Sequence, residues 1–292
     1  MILSQSNGSY LGKFSDEKVI DIMVDSGFDA MDFGFFSEKY YSEETDSESF
    51  KQHFLDLKKY AEDKGVFFNQ AHAPFPTGVA DPIKSKMIFE DVVRSMRNAS
   101  YLGIKNIVVH PIQYMVYRDE GIPEQLFEIN VDFYSRLKPY YEEYGVRVLT
   151  ENMWHIIKYY GGQIISDSVC SCPEEFIQYV DAFDREWFGA CLDIGHTMLV
   201  HQEPDAFIRK LGSRLDALHV HDVDGINDLH TIPFFGGAVD WNKVTKALRE
   251  IEYKGDFTLE VCGKYFESIP KELIPTASKL AAEAGRYVMN MI

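Results

Sequence analysis

The feature that most constrains the fold of this chain is a repeated alternation of short apolar runs with longer amphipathic stretches. Eight runs have the length and β-branched content of buried strands, at residues 2–5, 30–33, 66–70, 106–109, 146–150, 188–192, 217–220 and 257–259. Amphipathic helical patterns fill the intervals, and glycines such as Gly65 and Gly103 end two of them. Eight strand-then-helix units predict a parallel sheet covered by helices.

Two architectures satisfy this pattern, an open doubly wound sheet and a closed barrel. The turn after the first predicted strand lacks the G-x-G-x-x-G spacing, and the chain contains no P-loop motif. A count of eight strands favours closure. We therefore predict an α/β fold, a (β/α)8 TIM barrel that forms a single domain over residues 1–292. The longest connections all follow strands, and such loops build the active-site face of a barrel.

Metal-competent side chains are concentrated at the ends of the predicted strands. Each strand from the third to the eighth ends in, or is followed by, a carboxylate or an imidazole. These residues are His72, His110, Glu151, Asp193, His196, His219, His221, Asp228, His230 and Glu260. Carboxylate oxygens and neutral imidazole nitrogens together suit Zn, Mn, Fe or Co. Taken singly, each is more often an ordinary loop, core or solvated residue, but barrel closure would bring all of them to one rim.

The boldest part of this prediction is that His72, His110, Asp228 and His230 line the same pocket. Asp228 and His230 are two residues apart, which puts both side chains on one side of an extended loop and allows a shared ion. The alternative is that this loop is a solvated lid in which Asp228 caps a turn.

The charge balance argues against nucleic acid as a partner. The chain has 46 Asp and Glu against 29 Lys and Arg, a formal net charge of −17. Such a field repels polyanions, and no run of basic residues offsets it. No segment approaches the roughly 18–20 apolar residues of a membrane span. The N-terminus does not resemble a signal peptide, and the four cysteines form no CxxC pair. We expect a cytoplasmic protein without nucleic-acid or membrane partners, and homo-oligomer formation stays open.

The motifs at the strand ends resemble those of the xylose isomerase-like TIM-barrel superfamily. That family contains sugar isomerases and epimerases, inosose dehydratases and abasic-site endonucleases. The resemblance covers nearly the whole chain. It rests on His72-Ala73-Pro74-Phe75, His110-Pro111, Glu151-Asn152, Asp193-Ile194-Gly195-His196, His219-Val220-His221-Asp222, Asp228-Leu229-His230 and Gly237-Ala238-Val239-Asp240-Trp241.

The resemblance implies a minimal metal site of Glu151, Asp193, His219 and Glu260. In the ketose epimerases of this family, the glutamates of strands five and eight also move a proton on opposite faces of an enediolate that the metal stabilises. This implies catalytic roles for Glu151 and Glu260. The resemblance also implies that His196 contacts a substrate hydroxyl.

Two positions depart from the pattern of the related epimerases. Gly225 stands where they usually have an arginine, and Ile157 stands where they have a second glutamate. The substrate contacts must therefore differ. Our first hypothesis is a metal-dependent isomerase or epimerase that uses a divalent ion (Mn, Co, Zn or Fe) on a small polyhydroxylated substrate. A metal-dependent dehydratase of a keto-polyol and a sugar-binding protein without chemistry are alternatives.

The endonuclease branch of the family is the main alternative. Its members bind three zinc ions, and their additional ligands correspond to residues that this chain also has. These are His72, His110, His196, Asp228 and His230. An enzyme of this kind would be a phosphodiesterase that uses two or three ions on abasic DNA. The acidic net charge and the shortage of basic residues in the predicted loops weigh against it.

Overall fold

A computed structural model describes residues 1–160, 163–262, 266 and 268–292. Its strands are β1 Leu3–Ser6, β2 Ala30–Gly34, β3 Phe67–His72, β4 Asn106–Val108, β5 Arg147–Glu151, β6 Ile156–Tyr160, β7 Gln163–Ser166, β8 Phe188–Asp193, β9 Leu215–Val220 and β10 Phe257–Leu259. Eight of them close into a parallel barrel in the order β1-β2-β3-β4-β5-β8-β9-β10. The predicted single-domain (β/α)8 barrel is confirmed, and each predicted strand overlaps an observed one.

Helices connect the strands on the outside of the barrel. Their bounds are α1 Asp16–Ser26, α2 Glu48–Asp63, α3 Pro82–Tyr101, α4 Ile122–Ser135, α5 Lys138–Tyr144, α6 Pro173–Asp181, α7 Ile194–Leu199, α8 Pro204–Leu211, α9 Trp241–Glu250 and α10 Ile274–Met289. Capping residues fix the positions at which several helices begin. For example, the carboxylate of Asp81 accepts hydrogen bonds from two backbone N–H groups at the beginning of α3. None of the described helices combines the length and apolar character needed to cross a membrane.

The main hydrophobic core lies between the barrel and the helices. On α2, the residues Phe54, Leu57 and Ala61 share one face because they are spaced three and four apart, and all three are buried. Phe54 packs edge-on against Phe33 of β2, with ring centroids 6.2 Å apart. This outer core holds the strands in place, so that the residues at their carboxyl ends are positioned by well-packed strands.

A separate small apolar cluster is formed by Val108, Leu149, Cys191 and Ala217 on four neighbouring strands. Side chains two residues apart on a strand point to the same side. The residues two positions further along these strands are His110, Glu151, Asp193 and His219. Because side chains alternate between the two sides of each strand, a layer of metal-competent side chains lies directly on an apolar layer.

The connection after β5 contains a feature that the sequence analysis did not predict. Strands β6 and β7 pair antiparallel and form a two-stranded sheet outside the barrel. The intervening Gly161 and Gly162 lie outside the described residues. A Gly-Gly pair between two β-branched and aromatic runs is a known hairpin signal, so the sequence did contain the information.

Candidate metal centre

The predicted donors meet at the carboxyl ends of the barrel strands. Most of them line a cavity of about 390 Å³, and Asp193, His219 and His221 are buried beside the lining donors. Its described lining is Gly8, Phe36, His72, Phe75, His110, Gln113, Glu151, Met153, Trp154, His196, Asp228, His230, Glu260 and Cys262. Donors thus line one side of the cavity, and aromatic and apolar side chains line the rest. None of these residues is Lys or Arg, so this part of the chain offers no fixed positive charge to a substrate.

Four of the donors form a compact set that we call the proximal group: Glu151, Asp193, His219 and Glu260. Each offers one ligand atom, and these atoms all lie within 4.8 Å of one another. Nδ1 of His219 is 3.2 Å from Oε1 of Glu151 and 3.5 Å from Oε2 of Glu260. All four side chains are buried. Three carboxylates around one imidazole, out of contact with water, need a positive charge among them.

The hydrogen bonds of the proximal group are incomplete in a way that fits a divalent ion. Both carboxylate oxygens of Glu151 and Nδ1 of His219 are buried, and none has a hydrogen-bond partner among the described residues. Nε2 of His219 lies 2.9 Å from the side-chain amide of Gln70. The atom at this distance is the amide nitrogen, which donates to Nε2 of the ring. Turning the amide by 180° would present its oxygen to Nε2–H and leave the lone pair of the imidazole on Nδ1, where a metal would bind.

His72 and His110 extend this set on one side. Their Nε2 atoms are 2.7 Å apart, and Nε2 of His110 is 3.2 Å from Oε2 of Glu151. Ligand atoms of these three residues also lie within 4.8 Å of one another. Glu151 therefore offers one oxygen to the proximal group and the other to the two histidines, which is the arrangement of a bridging carboxylate.

On the other side lies a second set that we call the distal group: His196, Asp228 and His230. Nδ1 of His196 donates to the carbonyl of Asn152 at 2.9 Å, and Nδ1 of His230 donates to the carbonyl of Glu260 at 2.9 Å. These bonds direct Nε2 of both rings towards Oδ2 of Asp228, at 3.8 Å and 3.0 Å. Two imidazoles aimed at one carboxylate form a candidate second ion site.

The charges of the site stabilise one another. Burial alone would raise the pKa of Glu151, but His219 and His110 outweigh it and hold that pKa well below its usual range. Burial likewise opposes the charged form of His196, yet Asp193 and Asp228 raise its pKa to about 10. Without an ion, His196 and His219, whose pKa Glu151 and its neighbours also raise well above the usual value, thus act as counter-charges of the carboxylates. A metal would replace these protons.

His221, which the sequence analysis counted among the metal-competent residues, supports donors of both groups. His221 is fully buried, and its Nε2 lies 3.0 Å from each carboxylate oxygen of Asp193. Its ring stacks on that of His230, with centroids 3.9 Å apart, and so contacts both groups. A Cβ at residue 195 would lie 2.1 Å from the ring of His221, so Gly195 is needed for this packing.

Two further supporting residues come from early and middle parts of the barrel. Asp32 on β2 is buried beneath His72 and His219, its oxygens have no partner in the described structure, and burial raises its pKa to about 7. Asn152 accepts from the backbone N–H of Asp193 at 2.7 Å and donates to its carbonyl at 2.9 Å. That pair of hydrogen bonds ties the end of β5 to the end of β8.

The structure also decides between the two hypotheses for the loop after β9. Asp224, and not Asp228, accepts the backbone N–H groups of Ile226 and Asn227 and caps the turn. Asp228 instead points into the cavity beside His230. The structure therefore brings together every residue that the sequence analysis placed in the pocket, while their binding of an ion stays a prediction.

Comparison with known proteins gives the same architecture. Residues 20–284 match a family model described as xylose isomerase-like TIM barrel. A probable endonuclease 4 of Mesomycoplasma hyopneumoniae (strain 7448) is 27% identical over 150 residues, which are 49% of this chain and 47% of that protein. The chain spans about half the length of the curated relatives it matches.

Two solved structures illustrate the shared fold. A D-tagatose 3-epimerase-like protein superposes with a TM-score of 0.74 and 22% identity, over 99% of this chain and 98% of that one. The IOLI protein, solved with a bound zinc atom, superposes with a TM-score of 0.76 and 16% identity, over 99% and 96% of the two chains. At these identities the likeness shows the fold, and the chemistry must be argued from the site.

Proposed function

The chain belongs to the xylose isomerase-like TIM-barrel family, and from that premise we propose that it is a divalent-metal-dependent isomerase or epimerase of a small, uncharged, polyhydroxylated substrate. The observation that carries the proposal is the placement of Glu151 and Glu260. Both carboxylates lie at the cavity, and both approach the same imidazole nitrogen, at 3.2 Å and 3.5 Å. A substrate carbon placed next to Nδ1 of His219 would have the carboxylate of Glu151 on one side and that of Glu260 on the other, and either could act as a base.

The two glutamates can move a proton at a carbon next to a carbonyl. One takes the proton as the C–H bond breaks, and the other returns a proton to the opposite face, which inverts that carbon. His72 lies between them, with Nδ1 3.7 Å from Glu260 and Nε2 3.8 Å from Glu151. From this position its ring can pass a proton back between turnovers. A bound divalent ion would polarise the carbonyl and hydroxyl oxygens of the substrate.

The walls of the cavity support an uncharged substrate. Phe36, Phe75, Met153 and Trp154 line it, and aromatic side chains suit the apolar faces of a sugar ring. The described lining has no Lys or Arg to hold a phosphate, and the net charge of −17 repels anions over a longer range. The IOLI protein, which holds zinc in the same fold, supports a metal-dependent mechanism.

Hydrogen exchange tests the proposal without knowledge of the product. The protein, loaded separately with Mn, Co and Zn, would be incubated in D2O with D-fructose, D-psicose, D-tagatose and D-sorbose. We expect at least one ketose to gain deuterium next to its carbonyl and to form an epimer or isomer, as seen by NMR. We expect neither product with Glu260→Gln. Exchange at equal rates in both proteins would contradict the assignment of the base.

A second candidate function is phosphodiester hydrolysis at abasic sites. It is favoured by the distal group, which a mononuclear isomerase would not need, and by the likeness to probable endonuclease 4. We expect no cleavage of a duplex containing one abasic site at ~150 mM salt, where exposed charges are screened over roughly 8 Å. Robust cleavage by the zinc-loaded protein, lost in Glu260→Gln, would overturn the isomerase proposal.

A further inference from the structure

The metal cavity continues outward along the loops that follow β3, β4 and β5. At Phe75, His110 and Gln113 it shares its wall with a second cavity of about 350 Å³. The second cavity in turn shares Gln113, Tyr114 and His155 with a third one of about 280 Å³. The proposed reaction needs only the first cavity, so the other two offer room for a part of the ligand that does not react.

The side chains along this extension indicate what it would bind. Phe75 and Tyr114 both line the second cavity, and they remain 57% and 42% exposed. Such aromatic surface can cover one face of a sugar ring. Among the described residues that line the second and third cavities, none is Lys or Arg, and the carboxylate of Asp167 in the third is neutralised by Arg118, whose Nε lies 2.8 Å from Oδ2. The lining thus disfavours a phosphate and suits a neutral ligand.

Gln113 supplies a fixed polar contact at the junction. It lines all three cavities. Its Oε1 accepts a hydrogen bond of 2.6 Å from the hydroxyl of Ser168, which holds the amide in one orientation. Within the described part of the chain its amide nitrogen has no acceptor, so its two N–H groups are available to a ligand hydroxyl. A sugar that extends from the first cavity into the second must pass this donor.

We propose that the second cavity binds the second ring of an uncharged glycoside, so that the sugar in the metal cavity carries a glycosidic substituent directed towards Tyr114. The inference rests on the proposed function and names its substrate class: a disaccharide-sized glycoside, which binds more tightly than a free monosaccharide. Tyr114 and Phe75 contact the faces of the second ring, and Gln113 donates to a hydroxyl near the glycosidic bond.

Equilibrium binding tests this proposal separately from catalysis. The Mn-loaded protein would be titrated calorimetrically with cellobiose, maltose, lactose, sucrose and trehalose, and with D-glucose, D-galactose and D-fructose. One stacked ring and one hydrogen bond should make at least one disaccharide bind about tenfold more tightly than either of its monosaccharides. Tyr114→Ala should reduce this ratio to near one, and Gln113→Leu should reduce it in part.

The control is Tyr287→Ala, since Tyr287 lies on α10 and is 64% exposed; it should leave the ratio unchanged. The inference fails if no disaccharide binds more tightly than its monosaccharides, or if Tyr114→Ala keeps the full ratio. These titrations measure binding and not turnover. Preferential binding of a disaccharide can therefore be observed even if the protein exchanges no hydrogen in D2O, and hydrogen exchange can be observed even if no disaccharide is preferred. The failures of the two proposals are therefore distinguishable.

Discussion

The proximal and distal groups lie side by side in one cavity but are built differently. The proximal group has three carboxylates and one imidazole, and its donors sit on or directly after barrel strands. The distal group has two imidazoles and one carboxylate, since the nearby Nε2 of His221 is already engaged by Asp193. Two of its members, Asp228 and His230, lie on the loop after β9. Barrel strands therefore fix the first site, while the second depends on how one loop is held.

Charge and burial follow the same division. The donors of the proximal group are nearly inaccessible, whereas the side chains of Asp228 and His230 are 21% and 15% exposed. Three negative charges out of water attract a divalent ion more strongly than one negative charge near the surface. The comparison teaches that proximity in a cavity does not make two sites equivalent. We expect the proximal group to hold the ion that the chemistry needs, and the distal group to hold a weaker one.

The largest effect is expected at the proximal group. Glu260→Gln keeps the size of the side chain but removes a charge and a proton acceptor. Turnover should fall by about 10²–10⁴-fold, the range typical of losing an acid–base group, and metal content after gel filtration should drop. Elemental analysis and initial rates measure both. Glu283→Gln, at an exposed position of α10, is the matched control. Wild-type metal content and rate in Glu260→Gln would mean that the site is misassigned.

A smaller effect is expected at the distal group. Asp228→Asn removes its only carboxylate, so binding of a second ion should weaken by at least about tenfold while the first ion stays bound. If the protein is an isomerase, turnover should fall less than about tenfold. Calorimetric titration with Zn and rate measurements on the same preparation test both statements. A loss of turnover as large as that of Glu260→Gln would show that both groups take part in the chemistry.

The sequence allowed prediction of the donors because a parallel barrel has one carboxyl-terminal face. Once eight strands were counted, residues such as Glu151 and Asp193 at strand ends had to meet there. The supporting residues could not be found in this way. Gln70 and Asp32 lie within strands and are ordinary polar residues until strand register places them beneath His219. The donors at the strand ends can thus be predicted from the sequence, whereas the residues that support them from within the barrel cannot.

A third prediction tests the link between the two groups. Nε2–H of His221 donates to Asp193, and its ring stacks on His230. His221→Gln keeps a donor but loses the stacking ring, and His221→Phe keeps a ring but loses the donor. We expect His221→Phe to weaken the first ion by about 10–100-fold, as is usual when an outer hydrogen-bond partner of a ligand is lost.

His221→Gln should instead affect mainly the second ion, because only the stacking against His230 is lost. Metal titrations of both variants, with His53→Gln on α2, outside the cavity, as a control histidine, measure the two effects. If both variants weaken the same ion equally, the hydrogen bond and the stacking do not act separately, and the two groups behave as one site.

The smallest effect is expected at Trp154, which lines the cavity beside the distal group. Its Nε1–H donates to Oδ2 of Asp228 at 3.3 Å, the same oxygen that His230 approaches. Trp154→Phe keeps an aromatic wall but removes this hydrogen bond, worth about 1 kcal/mol or roughly a fivefold change in affinity. The second ion should bind about fivefold less tightly, and the first ion should bind as before.

Trp154→Ala removes the aromatic wall as well, so a further loss of sugar binding in that variant separates the two roles. A change in the first ion in Trp154→Phe would show that the hydrogen bonds of the distal group reach the proximal group, contrary to the division drawn above.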